Sequence, residues 1–97
     1  MVKVAGDVDL YSSPELRKAI TRAVPKAGAL AAVDLSGVTY MDSSGVATLV
    51  EGLRESDKKG IGFALIAPSQ PVLKVLSLSR LDKIFDIRPD VDGAAGA

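Results

Sequence analysis

The sequence predicts a small α/β domain in which helices pack against a mixed, mostly parallel sheet. Three observations lead there. Apolar runs with strand character alternate with stretches whose apolar residues recur at helical spacing, so helical crossovers join successive strands. Clusters of Gly, Pro, Ser and Asp punctuate the boundaries between them. Finally, the chain has 97 residues, enough for a single domain with a modest core. The expected division is a domain over residues 1–90 and a flexible C-terminal tail over 91–97, where Val91-Asp92-Gly93-Ala94-Ala95-Gly96-Ala97 has little to pack.

The elements follow in order. Val2-Lys3-Val4-Ala5 alternates and is stopped by Gly6-Asp7, the pattern of a short strand and a turn. Ser12-Ser13-Pro14-Glu15 announces a helix, with both serines competing for the cap. Leu16, Ala19, Ile20 and Ala23 then mark its buried face as far as Pro25. Ala29 to Leu35 is almost wholly apolar and reads as a central strand. Beyond Asp42-Ser43-Ser44-Gly45, the spacing of Val46, Leu49, Val50 and Leu53 predicts a second amphipathic helix running to Lys58. Ile61 to Ala67 reads as another buried strand, and Val72, Val75 and Leu76 line one side of a helix entered through Pro68 to Pro71. Ser79 is placed to cap a last short helix with Leu81, Ile84 and Phe85 on its inner face.

Composition narrows the function. Twelve basic and 12 acidic side chains balance to a net charge of zero, and the basic residues are scattered, which argues against a nucleic-acid partner. The chain has no cysteine and no histidine. Disulfides, thiolate metal sites and Ser-His or Cys-His nucleophile pairs are thereby excluded, and no catalytic residues, cofactor or metal site are expected. No run approaches the roughly 18 apolar residues of a membrane span, and the first residues lack a signal-peptide pattern. The expectation is a cytoplasmic, non-enzymatic protein without direct membrane insertion.

Asp42-Ser43-Ser44-Gly45 lies at a strand-to-helix junction, where the first N–H groups of the helix lack partners. Two readings share this chemistry. Asp and Ser are favoured N-cap residues, and the run serves structure alone. Alternatively, a helix start stabilises an anion, so a phosphoryl group on a serine there is tolerated by the fold, and Gly45 lets another protein's backbone approach.

The stretch Asp34-Leu35-Ser36-Gly37-Val38-Thr39-Tyr40-Met41-Asp42-Ser43-Ser44-Gly45-Val46 resembles the signature of bacterial STAS domains, a strand and short link followed by Asp-Ser-Ser/Thr-Gly opening a helix. Gly6-Asp7-Val8-Asp9-Leu10 is similar to the family's Gly-Glu-Leu-Asp stretch, and Leu81-Asp82-Lys83-Ile84-Phe85 looks like its closing helix. The nearest likeness is to anti-sigma factor antagonists. In these, the first serine of the motif is phosphorylated by a partner that is both serine kinase and anti-sigma factor. Only the unphosphorylated form binds that partner, and a phosphatase resets the switch. The resemblance implies that Ser43 is the phosphorylation site and that Asp42 orients its hydroxyl. It further implies that Asp42, Ser43, Ser44, Gly45 and Val46 belong to the partner-binding surface, with Asp9 and Ser12 at the rim.

Two rivals remain at this level. Small STAS subunits also dock on the ATPase of lipid-trafficking ABC transporters, and the flank Val46 to Leu53 is compatible with that use. Asp7-Val8-Asp9 matches how some magnesium-dependent phosphotransferases present a nucleophile and an acid, although solvated turn carboxylates are commoner. One departure from the family concerns the start. Most members carry another strand before the one leading into the aspartate stretch, so either the sheet lacks an edge strand or the natural protein begins earlier. An exposed edge favours weak homodimers.

Overall fold

The computed structural model of the chain describes residues 1–90. The tail expected over 91–97 therefore lies outside the described residues. Strand β1 spans Val2–Val8, β2 Leu30–Met41, β3 Gly62–Ile66 and β4 Asp86–Arg88. Helix α1 covers Ser13–Ala23 and runs into a 3-10 turn at Val24–Lys26, while α2 covers Ser43–Lys58 and α3 Gln70–Leu78. The strands lie in chain order, β1-β2-β3-β4, and all three pairings are parallel. Parallel neighbours need a crossover, and the three helices supply one each. The α/β class is as expected, with no antiparallel pairing among the described residues.

Burial follows position in the sheet. β3 has a neighbour on either side, and Phe63, Ala64, Leu65 and Ile66 are all buried, the continuous apolar run of an interior parallel strand. β1 lies at the edge and alternates, with Lys3, Ala5 and Asp7 exposed while Val2 and Val4 are half-buried towards the helices. One core cluster joins all layers: Leu16 and Ile20 from α1, Leu49 from α2, Val72 and Leu76 from α3, packed on Val33, Leu35 and Leu65.

On α2, Val46 and Leu49 are buried and Val50 and Leu53 half-buried, while Glu51, Arg54 and Glu55 face water. Gly45, Thr48, Gly52 and Ser56 complete the inner stripe. Both hydroxyls are satisfied within the helix, Thr48 Oγ1 donating to the Ser44 carbonyl at 3.0 Å and Ser56 Oγ to that of Gly52 at 2.9 Å. Gly52 is where α2 meets α1 and β3, since a Cβ there would lie 2.8 Å from Phe63 Cζ and 2.9 Å from Ile20 Cγ2.

The structure corrects three boundaries. β1 runs to Val8, because Gly6 takes a left-handed φ of 81° inside the strand instead of ending it. β2 continues past Leu35 to Met41 and gains a residue on β1 at each of two irregularities, opposite Lys3/Ala5 and Gly6/Asp7. At the first of these, Asp34 Oδ1 accepts hydrogen bonds from Ser36 N and Ser36 Oγ at 2.9 and 2.7 Å, so the polar residues that suggest a break accommodate a bulge. The third correction is larger. Ser79 ends α3 rather than capping a helix, Arg80 turns at φ 58°, and Leu81 to Ile84 make one turn before β4. Phe85 is buried with its ring 6.4 Å from that of Phe63, but Leu81 is only half-buried and Ile84 is exposed. The free edge of β3, which pairs Leu65 with Ile87, prevails over the helical spacing of these residues.

Candidate functional site

β1 and β2 finish side by side, with Val8 opposite Met41 and the Asp42 N–H donating to the Val8 carbonyl at 3.1 Å. The β1–α1 loop and the start of α2 therefore share one end of the sheet. Asp42 is the N-cap of α2. Its extended backbone, φ −108° and ψ −172°, aims the carboxylate back at the helix, where Oδ1 accepts from Ser44 N at 2.9 Å and from Ser44 Oγ. The Ser44 hydroxyl, helped by the backbone N–H groups of Ser44 and Gly45, holds the Asp42 carboxyl below the usual carboxylate range.

The two serines thus differ. Ser44 is half-buried and tied to Asp42, whereas Ser43, the first residue of α2, is exposed and its hydroxyl has no hydrogen-bond partner among the described residues. Asp42 orients Ser44 and not Ser43, which corrects the expected role. Gly45 also differs from expectation. A Cβ at this position would lie 2.8 Å from both Met41 Cγ and Val8 Cγ1, so the missing side chain lets the helix start seat on the strand ends. Val46 is 5% exposed and belongs to the core. Its side chain, like the position a Cβ would take at Gly45, faces the interior.

Asp9 and Ser12 form a second clamp. Asp9 Oδ1 accepts from Tyr11 N and Ser12 N, each at 3.0 Å, and from Ser12 Oγ at 3.2 Å. Ser12 Oγ in turn accepts from Asp9 N at 2.9 Å and lies 2.8 Å from the Asp7 carbonyl. Ser12 holds the cap position of α1 but spends its side chain on this loop, making no capping bond. The adjacent Asp7 accepts instead from Thr39 Oγ1 at 2.7 Å, so Asp7 and Asp9 are committed to different partners. Among the described residues no group of three or more His, Cys, Asp or Glu is placed to hold a metal ion.

Sequence reasoning missed the apolar part of this end. Leu10 is 70% exposed, Tyr11 90% and Tyr40 50%, all at or beyond the last turns of β1 and β2. The available signal was two large apolar residues between Asp9 and Ser12, in a loop where neither strand alternation nor helical spacing explains them.

These features define a small parallel α/β domain whose distinctive residues gather at one end of its sheet. The chain belongs to the STAS domain family, whose model matches residues 1–94. Among named relatives it is similar to the anti-sigma-B factor antagonist of Bacillus subtilis, 33% identical over 94 residues that cover 95% of this chain and 84% of the relative. The anti-sigma-B factor antagonist of Staphylococcus aureus is 36% identical over 86 residues, 89% of this chain and 80% of the relative. Among solved structures, an anti-sigma factor antagonist from Mycobacterium paratuberculosis superposes with a TM-score of 0.82 at 30% identity, covering 97% of this chain and 80% of that one. SpoIIAA, an anti-sigma factor antagonist in its unphosphorylated form, shares the fold with a TM-score of 0.75 at 24% identity, covering 98% and 86% of the two chains.

Proposed function

We propose that this chain is an anti-sigma factor antagonist switched by phosphorylation at Ser43. It binds an anti-sigma factor that is also a serine kinase, is released once phosphorylated, and is reset by a phosphatase. The observation that carries the reading is the contrast between the serines: one hydroxyl is exposed and unengaged on the first turn of α2, and its neighbour is held by Asp42. A kinase needs a reachable, unengaged hydroxyl, and Ser43 meets that need. The names of the relatives support the partner class.

The same geometry supports a release mechanism at the surface. Phosphorylation adds a charge of about −1.5 to −2 beside the Asp42 carboxylate. Within the domain, the free N–H groups of α2 offset part of the repulsion, so the fold persists. A docked partner has to desolvate that charge or move away. Leu10 and Tyr11 add apolar contact area on the same end of the molecule.

The test pairs the purified chain with each anti-sigma factor kinase of its own genome, with and without ATP. Ser43→Ala is expected to bind but take up no phosphate, and Ser43→Asp to bind about a hundredfold more weakly, with both variants melting near wild type. Labelling of Ser44 with Ser43 spared, or wild-type affinity in Ser43→Asp, overturns the assignment.

A further inference from the structure

Each helix carries the chain from the C-terminal end of one strand to the N-terminal end of the next, so all three helices finish at one end of the sheet, opposite Ser43. Basic residues that are scattered in the sequence meet there. Arg22 and Lys26 lie at the end of α1, Lys58 and Lys59 at the end of α2, and Arg80 and Lys83 between α3 and β4, all six exposed. The acidic residues of the same segments are Glu55, Asp57 and Asp82, and Glu55 is paired with Lys58 at 3.4 Å. The other end reverses the sign. The β1–α1 loop and the start of α2 hold Asp7, Asp9 and Asp42 with no cation among them, so a chain of zero net charge is polarised along its strands.

Helix dipoles account for part of this pattern, since a cation in a last turn is favourable and Arg22 and Lys58 are so placed. They do not account for Arg80. The connections into β2, β3 and β4 each pass through one left-handed residue, Gly28 at φ 69°, Gly60 at 70° and Arg80 at 58°. Glycine takes that conformation freely, whereas a long side chain takes it at a cost. The turn itself asks nothing of the arginine side chain: Arg80 N donates to the Ser77 carbonyl at 3.0 Å and Leu81 N to that of Leu76 at 2.9 Å. Nor does the guanidinium form an ion pair among the described residues. Its neighbours in this connection are two aliphatic side chains turned to water, Leu78 at 75% exposure and Ile84 at 48%.

We propose that this end of the molecule docks on an anionic phospholipid surface, with Leu78 and Ile84 in the headgroup layer and the six cations over lipid phosphates. Charge sets the sign of the partner, and cations drawn from three separate connections suit a surface that is itself extended. The aliphatic pair selects among anionic surfaces. A nucleic acid would use the cations and leave Leu78 and Ile84 in water, whereas a bilayer offers them hydrocarbon. Contact is peripheral, because no helix of the described residues is long and apolar enough to cross a membrane. Ser43 faces away from the lipid, so the inference does not rest on the proposed switch.

The test is co-sedimentation of the purified chain with vesicles, either phosphatidylcholine alone or equal parts phosphatidylcholine and phosphatidylglycerol. Binding to the anionic vesicles is expected to be at least about tenfold tighter, and to fall away between about 0.1 M and 1 M salt as the screening length contracts from roughly 10 Å to 3 Å. Arg80→Gly is the informative variant. It is expected to keep or raise the urea midpoint, because glycine suits the turn, and to weaken vesicle binding about fivefold. Leu78→Ser with Ile84→Ser is expected to weaken it about tenfold. Ser43→Asp, at the opposite end, is expected to bind vesicles as wild type does. No binding, or equal binding to both vesicle types, would overturn the proposal, as would wild-type affinity in Arg80→Gly. Wild-type affinity in the double serine variant would overturn it in favour of a purely electrostatic partner such as a nucleic acid, and loss of binding in Ser43→Asp would put the contact at the wrong end.

Discussion

Adjacent serines at the start of α2 are chemically alike, and one carboxylate distinguishes them. Because the Ser44 hydroxyl stabilises ionised Asp42, the carboxyl titrates lower in the folded than in the unfolded chain. The stabilisation is therefore present at neutral pH and is lost as pH falls through the folded value, in the acid range below about 4. Ser44→Ala is expected to raise the Asp42 pKa towards the ordinary carboxylate value and Ser43→Ala to leave it in place, which a carbon-detected NMR titration of the side chain resolves. Equal titrations in the two variants would mean that Ser44 is not the group holding Asp42. At this scale the sequence revealed which residues matter more readily than what they do. Asp42, Ser43 and Gly45 stand out by residue type and spacing, yet a one-dimensional pattern does not say which hydroxyl a carboxylate reaches or which way a missing Cβ points. Those depend on the ψ of Asp42 and on where Val8 and Met41 end.

Helix α2 is the element on which the fold and the site depend together. Its periodic apolar positions locate the buried face, so Leu49, with no exposed surface, is expected to cost about 2 to 5 kcal/mol when changed to alanine. Urea unfolding with an unchanged midpoint would show the helix face to be misplaced. Small residues on the same face are harder to read from sequence. Gly52→Ala gains about 1 kcal/mol of helix propensity but forces a methyl against Phe63 and Ile20, and overpacking of this kind costs about 1 to 3 kcal/mol. Net destabilisation is expected; a higher urea midpoint would mean that the Phe63 ring yields. The segment after α3 shows the opposite limit. Leu81, Ile84 and Phe85 are spaced as on a helix, but a strand forms next to them because β3 offers a partner for its backbone. Local periodicity contains no term for a distant free edge, so the closing helix inferred from it gives way to β4.

For the molecule as a whole, the alternation of elements was enough to indicate an α/β domain, and apolar continuity indicated the interior strands. Strand order and the bulges of β2 were not legible, since they are relations between segments far apart in sequence. The order makes a kinetic prediction. β3 is paired on both sides and buried at Phe63, Ala64, Leu65 and Ile66, whereas β4 has three residues, one neighbour and an exposed Asp86. Amide exchange is therefore expected to be slowest in β3 and to reach β4 first by local opening. Protection of Ile87 equal to that of Leu65 would show instead that the sheet opens as one unit. A last consequence follows from the clamp that Asp9 and Ser12 make around Leu10 and Tyr11. The loop is held by its own backbone and by two side chains, and its large apolar residues contribute almost nothing to the interior. Residues 10 and 11 can therefore be exchanged without a cost in stability. On the function proposed above, a genome holding several copies of this domain would have in these two positions a place to record which partner each copy answers to, insulating parallel signalling circuits while the scaffold stays the same.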